Sequence, residues 1–545
     1  MSKLDSEKQP LRNLPAWIDV NGKIGCPATA QPEFRDSAQL LARMDRLGVG
    51  RAIVFHVGAR DYNPTWGNQK LLDELADGSE RLIPAFVLGP SQLYERGAME
   101  HLHQAFTSRG ARAIRLCPAT LMYRLAQIEP ILRELVRYKP VVLVNKSELV
   151  VATDLVPLAR MFPEISFIYT QTMWLQFSAA LDYMARCENI LVDTSLLHMR
   201  GAVELIIEKF GAQRLVFGLG PLTHNGASIA ELMDVPITGA AREMIAHGNI
   251  ERLLDLPTRE PQESSCQGHF WATLLAGKPQ NTDIVDAHAH IGPSGLWMHA
   301  DGSLEDEISD LVRRMDRTGI RTAIVSGLEA LFGDPVAGNL ALEKALGSYG
   351  HRFLGYVVFN PWYAPELEAA LDTFFSGSFF VGFKILCDYW RVPVTDPRFE
   401  TLWAYAHRHR MPILLHTWDG PYNQPGMLKE IVTKFPEAKF LLGHSGGGDV
   451  GRREAEELAI ANPNVYLEWC GSFCSDTPFE DTIRRVGSQQ VVFGTDACPH
   501  SPAWEIGRLL SLDVPDETLL PILGANMRKI LQARKYFQPP LQQTP

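Results

Sequence analysis

The sequence predicts an α/β protein built as two tandem (β/α)8 TIM-like barrels, and three observations predict it: length, an internal repeat, and the rhythm inside each repeat. The chain has 545 residues, room for two barrels of roughly 250 each. MDRLGVGRAIV from Met44 returns as MDRTGIRTAIV from Met315, 271 positions later. The same offset joins Gly67-Asn68 to Gly338-Asn339, Arg81 to Arg352, and Pro90 to Pro361. Further along, FPEISFIYTQ (162–171) pairs with FPEAKFLLGH (435–444) and LVFGLG (215–220) with VVFGTD (491–496), at offsets of 273 and 276. Short insertions therefore accumulate in the loops of the second copy, and the repeat fixes the structural unit.

Within a copy, short apolar runs alternate with longer amphipathic stretches. TAIVSGL, RFLGYVVFN, FVGFKIL, PILLH, FLLGH, NVYLEW and QVVFGTD read as buried strands. LEDEISDLVRRMDRTG and PRFETLWAYAHRHRM, between them, carry a helical period. Strand and helix in alternation over about 260 residues close most simply into an eight-stranded parallel barrel. The seam falls in DLPTREPQESSCQGH (255–269) and Gly277-Lys278-Pro279, where Pro, Gly and polar residues interrupt the pattern. The domains expected are 15–276 and 282–538.

Composition narrows the function. Hydrophobic residues make up 46% and charged residues 21%, an ordinary globular balance. A net charge of −11 leaves no general basic surface, so neither nucleic acid nor an anionic membrane is expected as a partner. The start, MSKLDSEKQPLRNLPAW, lacks the apolar core of a secretory signal, and runs such as PVVLV are far shorter than the ~20 residues of a membrane helix, so the expected location is cytoplasmic. Eight cysteines without a C-x-x-C pair fit reduced thiols.

Three H-x-H pairs occur, and local structure separates them. His101/His103 and His407/His409 lie in helical patterns, where a two-residue step turns the rings apart. His288 and His290 end the apolar run IVDA, and on a strand both face one side. Lys384 after VGF, His416 after PILL, His444 after FLLG and Asp496 after VVFGT stand at the carboxyl ends of successive strands. In a barrel these ends meet at one mouth. Two His from one strand, a third His and an Asp form a nitrogen and oxygen set suited to zinc, with manganese or iron as alternatives. Arg391, Trp390, Trp418 and His500 lie just beyond the strand ends and are candidate pocket residues.

With these motifs in order, residues 284 to 535 resemble the amidohydrolase superfamily, in its amidohydrolase-related branch: the H-x-H strand, the strand ending GFK, the strand-five His, GHSGGG, GTDACPH and the GANMRKIL helix. The resemblance implies that His288, His290, His416 and Asp496 ligate one divalent metal and that His444 polarises substrate or shuttles protons. Lys384 falls where some members carry a carboxylated lysine bridging a second metal; here it is read as a substrate-binding cation. The segment YLEWCGS departs from the D-T-S pattern of strand seven. The expected activity is hydrolysis of a C–O or C–N bond, as in a lactone or amide, of a small carboxylate-bearing molecule, with Asp496 accepting a proton from water. The alternatives are nonoxidative decarboxylation of an aromatic or unsaturated acid and a noncatalytic sensor or scaffold.

The repeat lets each site position be read in the first copy. Asn21, Lys23, Arg115, Val144, Gln171 and Gly220 stand for His288, His290, Lys384, His416, His444 and Asp496. The first barrel is therefore expected to be degenerate and metal-free, kept as a built-in partner that packs on the second barrel as a pseudo-dimer, with a cap or an anion site on Lys23 and Arg115 as alternatives. Homo-oligomers of the whole chain are a further expectation.

Overall fold

The computed structural model describes residues 14–76, 80–149, 154–266, 268–292 and 303–534. The start at residues 1–13, read above for its lack of a signal, and the end of the second expected domain beyond 534 lie outside the described residues. The chain divides into two compact units, Met1–Gln267 with Leu275–Gly277 and Gly268–Leu274 with Lys278–Pro545. The short segment 268–274 goes with the second unit because Asp516 caps it, Oδ2 accepting from His269 N at 2.7 Å, and Gln280 donates to Phe270 O at 3.0 Å.

Each unit is an eight-stranded parallel barrel. The first runs β1 (Ile18–Ile24), β2 (Arg51–His56), β3 (Leu82–Leu88), β4 (Ala113–Leu116), β5 (Val141–Asn145), β6 (Phe167–Thr170), β7 (Ile190–Asp193) and β8 (Leu215–Val216), paired in chain order. The second repeats this with β9 (Ile284–Ile291), β10 (Ile320–Gly327), β11 (Phe353–Val358), β12 (Phe380–Ile385), β13 (Pro412–His416), β14 (Lys439–Gly443), β15 (Val465–Glu468) and β16 (Val491–Val492). The segment after each last strand returns to the first: Val20 N donates to Phe217 O at 3.3 Å, and Ala287 N to Phe493 O at 2.9 Å.

Alternation along the strands fills the interiors. Ile18, Val20, Ile53, Val87, Leu143, Ile168 and Leu191 pack inside the first barrel, with Ile250 and Leu254 of the helix Asn249–Leu254. Val285, Ala287, Ile324, Tyr356, Val381, Leu414 and Leu441 do so in the second, with Met527 and Ile530 of the helix Asn526–Gln532. Each such side chain contributes about 1.5 to 3 kcal/mol by leaving water.

The repeated sequence signatures have physical causes. Asn68 and Asn339 each bond a strand backbone twice, to Val87 at 2.8 and 2.9 Å and to Val358 at 3.1 and 2.9 Å. The glycine before each lets two helices touch, since a Cβ on Gly67 would lie 2.1 Å from Ala59 N and one on Gly338 2.4 Å from Ala330 N. Asn249 and Asn526 likewise tie their helices to the last strand, donating to Leu215 O at 2.7 Å and Val491 O at 2.8 Å.

Strand register corrects one pairing drawn from sequence. Arg115 aligns with Leu143 and Lys384 with Leu414, and the same ladders set Asn145 beside Thr170 and His416 beside Gly443. Asn145, not Val144, therefore occupies the place of His416. The sequence match through the opening prolines of PVVLV and PILLH hides a one-residue slip that the ladder resolves. Register supports the pairings on the first strand of each copy, with Gly22 beside Val54 and Lys23 beside Phe55 as Ala289 is beside Val325 and His290 beside Ser326.

Candidate active site

The second barrel gathers its titratable groups at the carboxyl ends of its strands. His288 and His290 leave β9 on the inner face, where their Nε2 atoms lie 3.2 Å apart. Asp496, just past β16, brings Oδ1 to 3.0 Å from His290 Nε2 and 3.5 Å from His288 Nε2. Lys384 at the end of β12 is buried, and its Nζ lies 2.7 Å from His288 Nε2. His444 follows β14 in a left-handed conformation, φ 61°, and its Nε2 lies 2.9 Å from Nδ1 of His416 at the end of β13. His500 stands beyond, with Nδ1 3.8 Å from Asp496 Oδ2.

Trp418 stacks parallel to the His416 ring at 5.9 Å, Tyr389 meets the same ring edge-on at 5.7 Å, and Phe332 abuts Tyr389, so aromatic rings wall this side. Two candidates stay outside the cluster. Arg391 is exposed, and Trp390 is buried with Nε1 donating to Leu331 O at 2.9 Å.

Four supporting residues went unread in the sequence. Glu468, at the end of β15 and wholly buried, sets Oε2 2.9 Å from His288 Nδ1 and accepts from His444 N at 3.1 Å. Its other oxygen accepts from Cys470 N at 2.7 Å, and a Cβ on Gly494 would come within 2.2 Å of it. Cys470 Sγ lies 3.1 Å from His288 Nδ1, Ser326 Oγ is 2.8 Å from His290 Nδ1, and Asp388 Oδ2 is 3.4 Å from His416 Nε2. The repeat carried a signal for Glu468: the ligand positions change between copies, but an acid, Asp193 or Glu468, ends the seventh strand in both.

Burial governs the charges. It pulls His444 down to about 3, helped by the neighbouring His416. It also depresses His288, with Lys384 adding to the effect, and lowers Lys384 from the usual lysine range. Burial pushes Glu468 up to about 8. For Asp496 burial pushes up but the imidazoles of His288 and His290 prevail, holding it well below the usual carboxylate range. His444 Nδ1 lies 3.0 Å from the carbonyl oxygen of Cys470, which can only accept, so the proton resides on Nδ1 and the Nε2 lone pair faces the cluster.

The donor set fits a divalent cation. His288, His290 and Asp496 offer two imidazole nitrogens and a carboxylate oxygen close enough to share an ion, a combination suited to zinc or manganese. His288, His444, Glu468 and Cys470 form a second group, through the opposite nitrogen of His288. That nitrogen already faces Glu468, whereas the first group uses His288 Nε2, which faces Lys384 Nζ as well as His290 and Asp496.

The first barrel keeps the frame with other side chains. Asp19 accepts from Asn21 N and Leu219 N at 2.9 and 2.8 Å, as Asp286 accepts from His288 N and Thr495 N at 3.0 Å each. Asp193 accepts from Asn21 Nδ2, as Glu468 faces His288. Asn145 Nδ2 donates to Gln171 Oε1 at 2.6 Å where His416 meets His444, and Gln171 keeps a φ of 61°.

The family model described as Amidohydrolase matches residues 26–256 and again 285–532. No curated protein is similar at a significant level. Among solved structures, 5-carboxyvanillate decarboxylase from Novosphingobium aromaticivorans DSM 12444, complexed with manganese and 4-hydroxy-3-methoxy-5-nitrobenzoic acid, is 16% identical over 47% of this chain and 98% of its own, with a TM-score of 0.36. 2,6-Dihydroxybenzoate decarboxylase from Rhizobium is 15% identical over 46% of this chain and 99% of its own, at 0.35. An amidohydrolase from Burkholderia multivorans with bound HEPES is 15% identical over the same shares, at 0.36. With the family model covering both barrels, the chain belongs to the amidohydrolase family, as a tandem duplication of its fold.

Proposed function

We propose that the second barrel is a metal-dependent hydrolase that cleaves a C–O or C–N bond, as in a lactone or amide, of a small carboxylate-bearing molecule. The observation that carries this reading is the convergence of His288, His290 and Asp496 beside a histidine, His444, whose Nε2 lone pair faces the cluster. The cation would be held by these three with His416, and it would supply Lewis acidity that brings water's pKa toward neutrality. Zinc or manganese suits the donors.

The chain's own groups then divide the work. Asp496, held ionised, accepts the proton of the attacking water and passes it to the leaving oxygen or nitrogen. Asp496 also keeps the H-x-H pair aligned, and the uncharged Nε2 of His444 is a hydrogen-bond acceptor beside it. Glu468 fixes the His288 ring through Nδ1, so Nε2 faces inward. Lys384 gives the buried end of the mouth a positive charge for the substrate's carboxylate, and the wall of Trp418, Tyr389 and Phe332 receives its flat, apolar part.

That aromatic wall also favours a second reading, nonoxidative decarboxylation of an aromatic or unsaturated acid by the same residues. Product analysis separates the two. Aryl lactones, N-acyl aromatic amides and hydroxybenzoates are offered to the purified protein, and released acid is followed by titration and released carbon dioxide by a coupled assay. Acid release lost in His444→Ala supports hydrolysis, carbon dioxide release lost in the same variant supports decarboxylation, and turnover unaffected by His444→Ala refutes both.

A further inference from the structure

At the strand ends where the second barrel has imidazoles and a lysine, the first has amides and a guanidinium. Arg115 lies on the inner face of β4, between Ala113 and Cys117 of the barrel's interior cluster. It is only 6% exposed, with its Cζ 4.9 Å over the ring of Phe55. Among the described residues its five N–H groups donate no hydrogen bond and it forms no ion pair. The neighbouring charges are engaged elsewhere. Asp193 accepts from Asn21 and from Gln171 N, Glu148 accepts from Thr120 N and Oγ1 at 3.0 and 2.6 Å, and Arg60 is paired with Asp61.

A buried guanidinium without acceptors is costly unless something completes it. Amides stand at other strand ends of the same barrel. Asn21 Oδ1 is buried without a partner, and Asn145 and Gln171 form a linked pair. Gln171 also keeps the left-handed backbone of His444 although the imidazole is gone. Lys23, the other candidate cation, is neutralised by Glu33 at 2.5 Å.

We propose that the mouth of the first barrel is a binding site for a small monocarboxylate, gripped by Arg115 and lined by Asn21, Asn145 and Gln171. A carboxylate offers two coplanar oxygens to the parallel N–H pair of a guanidinium, and one unpaired cation matches one negative charge.

The test is calorimetric titration of the full chain with sodium benzoate and, separately, sodium phosphate, in wild type, Arg115→Met and Asn145→Ala. Wild type should bind benzoate at a site that weakens roughly tenfold to a hundredfold in Arg115→Met and less in Asn145→Ala, with phosphate absent from it. Benzoate bound by the second barrel would persist in both variants, so failure of the hydrolase reading leaves this result intact. An unchanged benzoate isotherm in folded Arg115→Met, no benzoate binding in wild type, or a phosphate site lost with Arg115 would each overturn the proposal. Should Arg115→Met not fold, unchanged benzoate binding in Asn145→Ala and Gln171→Ala overturns it equally.

Discussion

The imidazole of His288 offers two nitrogens, and Glu468 decides which one turns into the mouth. With Oε2 2.9 Å from Nδ1, the carboxyl group leaves Nε2 toward His290 and Asp496. Glu468→Ala should weaken metal binding roughly 10- to 100-fold, with Glu468→Gln between it and wild type, measured by competition with a chromophoric chelator. An unchanged affinity in Glu468→Ala would deny the positioning role. The sequence singles out His288 and His290 because a strand's two-residue period makes an H-x-H pair chemically meaningful. Lys384, His416, His444 and Asp496 are legible because barrel strands end at one mouth. Glu468 was harder to see, since its partner lies 180 positions away and YLEWCGS matches no ligand spacing. Arg391 stands at a strand end yet is exposed, because position along the chain does not say which way a loop side chain turns.

At the scale of elements, the strand ends are held by buried charge. Asp19 binds the tail of β1 to the chain beyond β8 through two backbone N–H groups on Oδ1, and burial pushes its carboxyl from 3.8 up to about 6. Between those values the folded state keeps a proton that the unfolded state has lost. The unfolded state thus binds fewer protons, and stability falls as pH rises from about 4 to about 6 before levelling. Asp19→Asn keeps the accepting oxygen and removes that slope, so urea unfolding should show the variant more stable by on the order of 3 kcal/mol at neutral pH and little different near pH 4. Parallel pH profiles for the two proteins would contradict this. Behind β15, the buried Arg508 bonds Glu505 Oε2 at 2.7 Å and Trp469 O at 2.9 Å, while Glu505 accepts from Gly471 N at 3.1 Å. The pair clamps the loop that carries Cys470. Arg508→Ala strands a buried carboxylate and should cost about 3 to 5 kcal/mol in denaturant unfolding, with part of the loss recovered by adding Glu505→Gln. A loss below about 1 kcal/mol, as for a surface pair, would refute the clamp.

Across the whole molecule, duplication makes the fold legible and the comparison of copies informative. The MDRxG match, the paired Gly-Asn steps and the two Asn-headed terminal helices mark the same contacts in each barrel. What sequence alone misplaces is a single register step, Val144 for Asn145, because apolar strands align equally well one residue apart until their ladders are known. The frame at the mouth is retained in both copies, whereas the metal-ligating residue types occupy only the second set of positions. Metal stoichiometry, measured by elemental analysis of the full chain in wild type, His288→Ala and Asn21→Ala, tests this division between the copies most directly, and the division of residue types has a definite consequence. It predicts about one equivalent per chain, lost in His288→Ala and kept in Asn21→Ala. No metal even after reconstitution, or an equivalent that survives His288→Ala, would contradict it.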